Sequence, residues 1–179
     1  MIPRRLDQRG FTLVEIMVVT VLIAIMATVI VVRFDFRLGP RELREEIRRF
    51  DVLFHMAWEQ AQIEGRSVGI EIDRSSFSFF TYDPLQRQWL SMENDEFFRR
   101  RELPPGIYFD LRLEDKAIEL PTDEESEDDN DISPQILLLA SGEATPFNLF
   151  IESDNADVAF ELIVDQIGDS ELIEHDRAY

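Results

Sequence analysis

The sequence contains no cysteine among its 179 residues. This absence excludes disulfide bonds, thiol chemistry and cysteine-ligated metal sites, so a domain in an oxidising compartment must rest on its apolar core alone. Histidine is nearly as scarce, because only His55 and His175 occur. His55 falls on a helix-like stretch and His175 close to the C-terminus. We therefore interpret His55 as a helix-surface residue and His175 as a tail residue.

The motifs of several common enzyme classes are also missing. The chain has no Gly-x-Ser-x-Gly, no P-loop and no His-Glu-x-x-His sequence. Pairs of carboxylates are plentiful, but in so acidic a chain their presence carries no information. A membrane-anchored enzyme is therefore the disfavoured interpretation, and we expect no catalytic residues, no metal site and no cofactor.

Basic residues are outnumbered two to one by acidic residues. The chain has 18 Lys and Arg and 37 Asp and Glu, which gives a formal net charge of −19. Nucleic acid is consequently an improbable partner, and an anionic membrane surface would repel the chain. The acidic residues are densest between Pro121 and Asp131, which predicts an acidic mobile loop at residues 121–133. A calcium site is the alternative there, but the spaced ligands and turn glycine of an EF-hand are absent.

One long apolar run stands out against this charged background. Phe11 to Val32 consists almost entirely of aliphatic residues and threonine. As a helix of about 22 residues it would measure about 33 Å, enough to cross a hydrocarbon core of about 30 Å. The run has no polar face, so we predict a transmembrane helix at residues 11–32. Glu15 lies about one turn inside it, where a charge costs on the order of 2.5–3.5 kcal/mol, so its carboxylate either finds a partner or reaches the headgroups.

The residues before this run are short and basic, and no small-residue cleavage site follows it as a secretory signal peptide would require. The junction Arg9-Gly10-Phe11-Thr12-Leu13-Val14-Glu15 resembles that of type IV prepilins. The resemblance implies a leader peptide at residues 1–10, cleavage after Gly10 by a prepilin peptidase, and N-methylation of Phe11. It also implies that Glu15 pairs with the Phe11 amine of a neighbouring subunit during assembly. The leader would lie in the cytoplasm and the C-terminal domain in the periplasm, with one span through the bacterial inner membrane.

A hinge is predicted at residues 33–40, with the break near Gly39-Pro40. Apolar residues then recur at steps of three and four, which predicts an amphipathic helix at 41–64 that ends at Gly65. Its apolar face would cover a sheet of its own domain or, at one end, form a groove for another subunit.

The remainder, residues 66–174, is predicted to be rich in β-strands, within a domain at 41–179. The fold class is α+β, with the amphipathic helix packed on an antiparallel β-sandwich. The cluster Arg99-Arg100-Arg101 is interpreted as a solvated edge or loop rather than a docking patch. Strands are predicted at 67–73, 77–82, 88–91, 107–113, 118–120, 136–140, 147–152 and 158–164, with an edge strand at 171–174.

Three motifs in this domain are similar to the H-type minor pseudopilins of bacterial type II secretion. They are Glu64-Gly65-Arg66 after the helix, Ser-Gly-Glu-Ala-Thr-Pro-Phe at 141–147, and Asp165-x-x-Gly168. Independently of this resemblance, the residue types at Ser141-Gly142 predict a tight turn between two strands. Pro146 marks the start of the second strand. A turn that contacts a partner is the alternative.

This resemblance implies a pilin-like structural subunit near the tip of the periplasmic pseudopilus. The subunit would link other minor pseudopilins to the major pseudopilin and support protein export across the outer membrane. Its further partners would be the prepilin peptidase and the inner-membrane secretion platform. A minor pilin of a type IV pilus, acting in pilus assembly or DNA uptake, is the alternative. The missing cysteine and the charge of −19 argue against it.

Overall fold

The computed structural model describes residues 13–32, with side chains to residue 23, and residues 39–122 and 132–176. The chain divides into two compact units, Met1–Phe36 and Arg37–Tyr179. The predicted leader at 1–10, most of the hinge at 33–40, and most of the acidic loop at 121–133, with its calcium alternative, lie outside the described residues.

The N-terminal unit contains helix α1, Leu13–Val32. Its described side chains, from Leu13 to Ile23, are all exposed. The hydroxyl of Thr20 lies 3.1 Å from the carbonyl oxygen of Ile16 and 2.9 Å from that of Met17, so the helix itself accepts this hydrogen bond. Within the part of the chain that the structure describes, no helix combines the length and apolar character needed to cross a membrane.

The second unit begins with helix α2, Pro40–Glu64. Pro40 occupies the first turn, where its missing N–H removes no helical hydrogen bond. Gly65 ends the helix in a left-handed conformation with φ of 63°, which favours glycine, and its N–H donates to the carbonyl of Ala61. The helix buries one face, as the spacing of its apolar residues predicts: Leu43, Ile47, Phe50, Leu53, Phe54, Ala57 and Ala61.

Ten strands form two antiparallel sheets. Sheet A has the order β3-β2-β1-β7, with β4 also paired to β2, and sheet B has the order β10-β9-β8-β5-β6. The strands are β1 Val68–Ile72, β2 Ser76–Asp83, β3 Gln88–Ser91, β4 Arg101–Glu102, β5 Ile107–Leu113, β6 Lys116–Ile118, β7 Ile136–Leu138, β8 Phe147–Ser153, β9 Val158–Val164 and β10 Ser170–Asp176.

Besides shifts of one or two residues at the ends of the strands predicted at 67–73, 77–82, 136–140 and 147–152, the structure differs from the predicted strands in three places. The strand predicted at 118–120 lies at 116–118, because Glu114 and Asp115 take positive φ values of 50° and 62° and turn the chain back directly after β5. The edge strand predicted at 171–174 extends to 170–176, because it pairs with β9 along its whole length. The short strand β4 was not predicted, since two residues are too few to show alternation.

Phe50 on α2 contacts both sheets. Its ring centroid lies 5.1 Å from that of Phe77 in sheet A. In sheet B, the corresponding distances are 6.1 Å to Phe109 and 6.2 Å to Phe147. Phe77 and Phe109 also contact each other directly, with centroids 6.1 Å apart. The helix and the two sheets therefore share a single core, which confirms the α+β class and the packing of the helix on antiparallel sheets.

We expect Phe50→Ala to lower the free energy of unfolding by about 3–5 kcal/mol, because the large cavity would face three ring neighbours. Val52→Ala on the same helix is the control. Val52 is 58% exposed, so its truncation should cost less than about 0.5 kcal/mol. Urea denaturation of the two variants and the unaltered chain measures the difference. Equal stability of the two variants would contradict the central place of Phe50 in the core.

Candidate functional site

The residues of the predicted N-terminal site are only partly described. Gly10 and Phe11 lie outside the described residues, so cleavage and methylation at these positions stay predictions. Glu15 lies in the first turn of α1 and is the only charged residue of that helix. A carboxylate there is favoured by the positive end of the helix dipole. Its pairing with a neighbouring subunit also stays a prediction.

The segment at 141–147 forms the connection between the two sheets. It leaves β7 of sheet A and enters β8 of sheet B. The N–H of Leu139 donates to the carbonyl of Glu143 at 2.7 Å, and the N–H of Gly142 donates to the carbonyl of Leu139 at 2.9 Å. The tight turn predicted at Ser141-Gly142 is thus present, and β8 begins directly after Pro146.

The segment at 165–169 is the turn between β9 and β10. One carboxylate oxygen of Asp165 accepts hydrogen bonds from the N–H groups of Ile167 and Asp169, each at 2.9 Å. The N–H of Ala144 donates to the carbonyl of Gln166 at 2.9 Å. The two motif segments, which are distant in sequence, are therefore joined at one end of the domain.

Trp58 of α2 holds these two turns against the helix. Its indole N–H donates to the carbonyl of Gly142 at 3.0 Å. Gly168 has φ of +83°, and a Cβ added there would lie 2.7 Å from Cε2 of Trp58, so only glycine fits. The packing supports a structural role for the 141–147 turn, although Ser141 and Glu143 remain exposed. No sequence pattern indicated the contact of Trp58 with both turns.

The arginine cluster, predicted to be a solvated edge or loop, is only partly solvated. The guanidinium of Arg100 lies 3.3 Å from the carboxylate of Asp73 and donates to the hydroxyl of Ser76 at 2.9 Å. Asp73 is 3% exposed, and a buried carboxylate requires a cation or hydrogen-bond donors. Arg101 lies in β4 and pairs with Phe77 of β2. Arg101 thus lies at a sheet edge as predicted, but Arg100 and Arg101 are half-buried rather than fully solvated, while Arg99 is exposed.

The two histidines have different environments. His55 keeps its predicted place on the helix, with Nδ1 2.9 Å from the carbonyl oxygen of Asp51. His175 is not a tail residue, because Nε2 lies 2.6 Å from a carboxylate oxygen of Glu161 on the adjacent strand. Asn148 donates to the other oxygen of Glu161, also at 2.6 Å.

Across residues 13–32, 39–122 and 132–176, no group of three or more potential ligands is arranged to hold a metal ion.

Comparison with protein families gives an N-terminal match. Residues 5–31 match the family described as the prokaryotic N-terminal methylation motif. The matched stretch contains Gly10, Phe11 and Glu15, the residues that carried the prepilin resemblance. The match supports that resemblance independently of the β-rich domain.

Curated relatives cover nearly the whole chain. The type II secretion system protein H of Aeromonas hydrophila is 29% identical over 179 residues, which span 97% of this chain and 98% of that protein. The protein of the same name from Pseudomonas aeruginosa is 30% identical over 143 residues, or 79% of this chain and 81% of that protein.

Solved structures show the same fold. The minor pseudopilin EpsH from the type 2 secretion system of Vibrio cholerae superposes with a TM-score of 0.62 at 23% identity, covering 74% of this chain and 95% of that one. The solution structure of Escherichia coli GspH gives a TM-score of 0.55 at 20% identity, covering 76% and 89%. The 30% identity to the Pseudomonas protein, over 79% of this chain, shows that the chain belongs to the type II secretion system protein H family.

Proposed function

We propose that this chain is a structural subunit near the tip of the type II secretion pseudopilus. In that position it links the other minor pseudopilins to the major pseudopilin beneath them and supports protein export across the outer membrane. The observation that carries the proposal is that the methylation motif at residues 5–31 and similarity to protein H over most of the chain occur together. The subunit works through assembly, without a catalytic reaction or a cofactor of its own.

The proposal includes an anchor in the bacterial inner membrane. Residues 11–32 would span the bilayer, with the leader in the cytoplasm and the domain in the periplasm. The exposed aliphatic side chains from Leu13 to Ile23 support this arrangement, since they need an apolar environment of lipid or of neighbouring helices. Contact with the inner-membrane secretion platform would follow from this location.

Maturation by the prepilin peptidase would prepare the subunit for assembly. Cleavage after Gly10 leaves Phe11 as the first residue, with a free amine that the enzyme then methylates. Glu15 of one subunit would pair with this amine on its neighbour as the helices leave lipid and enter the filament. A single polar group in an apolar interface can set the register of helices, because a shift by one turn leaves its charge unpaired.

We expect Gly10→Leu to leave the precursor uncleaved, because a bulky side chain would occupy the position next to the scissile bond. Mass spectrometry of the membrane-bound chain distinguishes a first residue of Met1 from one of Phe11. Gly39→Ala is the control, since an added Cβ there would meet only the flexible side chain of Glu42, at 3.1 Å. A mature Phe11 terminus in the Gly10→Leu variant would contradict the leader assignment.

We expect Glu15→Leu to insert into the membrane but to co-purify with the other pseudopilins at about a tenth of the normal yield, because the register charge is lost. Thr20→Val is the control, since the Thr20 hydroxyl bonds within its own helix. Membrane fractionation and co-purification from detergent extracts measure both steps. Normal incorporation and secretion with Glu15→Leu would contradict the proposed pairing.

A further inference from the structure

A groove runs along one side of α2. It has a volume of about 440 Å³ and lies between α2 and the loop at residues 92–101. Its apolar floor is formed by Val52, Leu53, Met56 and Phe97. Phe97 is 51% exposed, although its neighbour Phe98 is 2% exposed. A large exposed ring opposite the exposed Val52 is unusual for a surface that faces only water.

The loop wall of the groove is held in place by several contacts. The carboxylate of Asp95 accepts hydrogen bonds from the N–H groups of Phe97 at 2.8 Å and Phe98 at 3.3 Å. The Phe98 ring packs against Phe79 of β2, with centroids 5.1 Å apart. Arg100 binds the buried Asp73. The loop that carries Phe97 is therefore held in position, which reduces the entropy lost when a partner binds.

The groove is basic in an acidic protein. Arg48, Arg49 and Arg101 line it. Burial, and then the positive charges of Arg99 and Arg49, lower the pKa of Arg101. The buried Nε atom of Arg101 has no hydrogen-bond partner among the described residues.

The carboxylate that lines the groove, Glu45, and the nearby Glu46 are both in ion pairs. Glu45 pairs with Arg41 at 3.0 Å, and Glu46 pairs with Arg49 at 2.9 Å. Within the described residues, neither Arg48, which lines the groove, nor Arg99, an exposed residue of the adjoining loop, has an ion pair. Positive charge thus remains in excess beside the apolar floor, although the chain as a whole carries −19.

We propose that this groove docks a neighbouring pseudopilin through a segment in which carboxylates flank a large apolar side chain. The apolar side chain would lie between Val52 and Phe97, and the carboxylates would pair with Arg48 and Arg99. Charge complementarity selects this occupant, because carboxylates would pair with two arginines that have no ion pair within the described residues, whereas a basic segment would be repelled. The inference rests on the proposed role in the pseudopilus and names the surface that the role uses.

Site-specific photo-crosslinking in the full chain tests the occupant. Phe97 is replaced by p-benzoylphenylalanine in cells that make all pseudopilins of the same system. The control carries it at Leu85, which is 93% exposed in the turn between β2 and β3 and does not line the groove. We expect position 97, and not position 85, to crosslink another pseudopilin at a peptide rich in Asp and Glu. Crosslinks only to residues 121–133 of the same chain or to a second copy, or no crosslink above the control, would overturn the proposal.

Charge reversal provides the second measurement. We expect Arg48→Glu combined with Arg99→Glu to reduce co-purification with the crosslinked pseudopilin about tenfold, and the corresponding double lysine variant to keep most of it. Arg66→Glu, an exposed reversal just beyond α2, should change the yield less than about twofold. If the unaltered chain binds no pseudopilin, the proposed function fails. If it binds and the double glutamate variant binds equally well, only the groove is refuted.

Discussion

The packing of one helix face against two sheets is the constraint on which the domain depends. Phe50 lies where α2, sheet A and sheet B meet, and its ring contacts Phe77, Phe109 and Phe147. Without cysteine, no covalent link supplements this core. The apolar face of α2 is therefore occupied within its own domain, and a neighbouring subunit has to be recognised by other surfaces.

Much of this architecture was predictable because its signals are local. The helix bounds follow from Pro40, from Gly65 and from apolar residues one turn apart. Strands such as Ile107–Leu113 alternate buried and more exposed residues, and so carry their period within a few residues. The N-terminal assignment likewise rests on a short contiguous stretch, which the family match at residues 5–31 includes.

The features that were missed depend on residues distant in sequence. The contact between Trp58 and Gly168 joins α2 to a turn more than a hundred positions later, and neither residue alone signals it. Arg100 looked like one of three solvated arginines because the burial of Asp73 is set by tertiary structure. His175 looked like a tail residue because its partner Glu161 belongs to the adjacent strand. Local patterns predict elements, whereas the pairing of polar side chains needs the assembled sheets.

The charge of the chain bears on how such subunits can assemble. Domains with a net charge of −19 repel one another at separations within the Debye length of about 8 Å at physiological ionic strength. Close packing in a filament then favours orientations in which a local excess of positive charge meets acidic groups. In the proposed assembly the arginines beside Val52 and Phe97 provide that excess, while the apolar floor provides the buried area. Glu15 would act by the same principle within α1, where one charge among aliphatic side chains favours a single alignment of neighbouring helices.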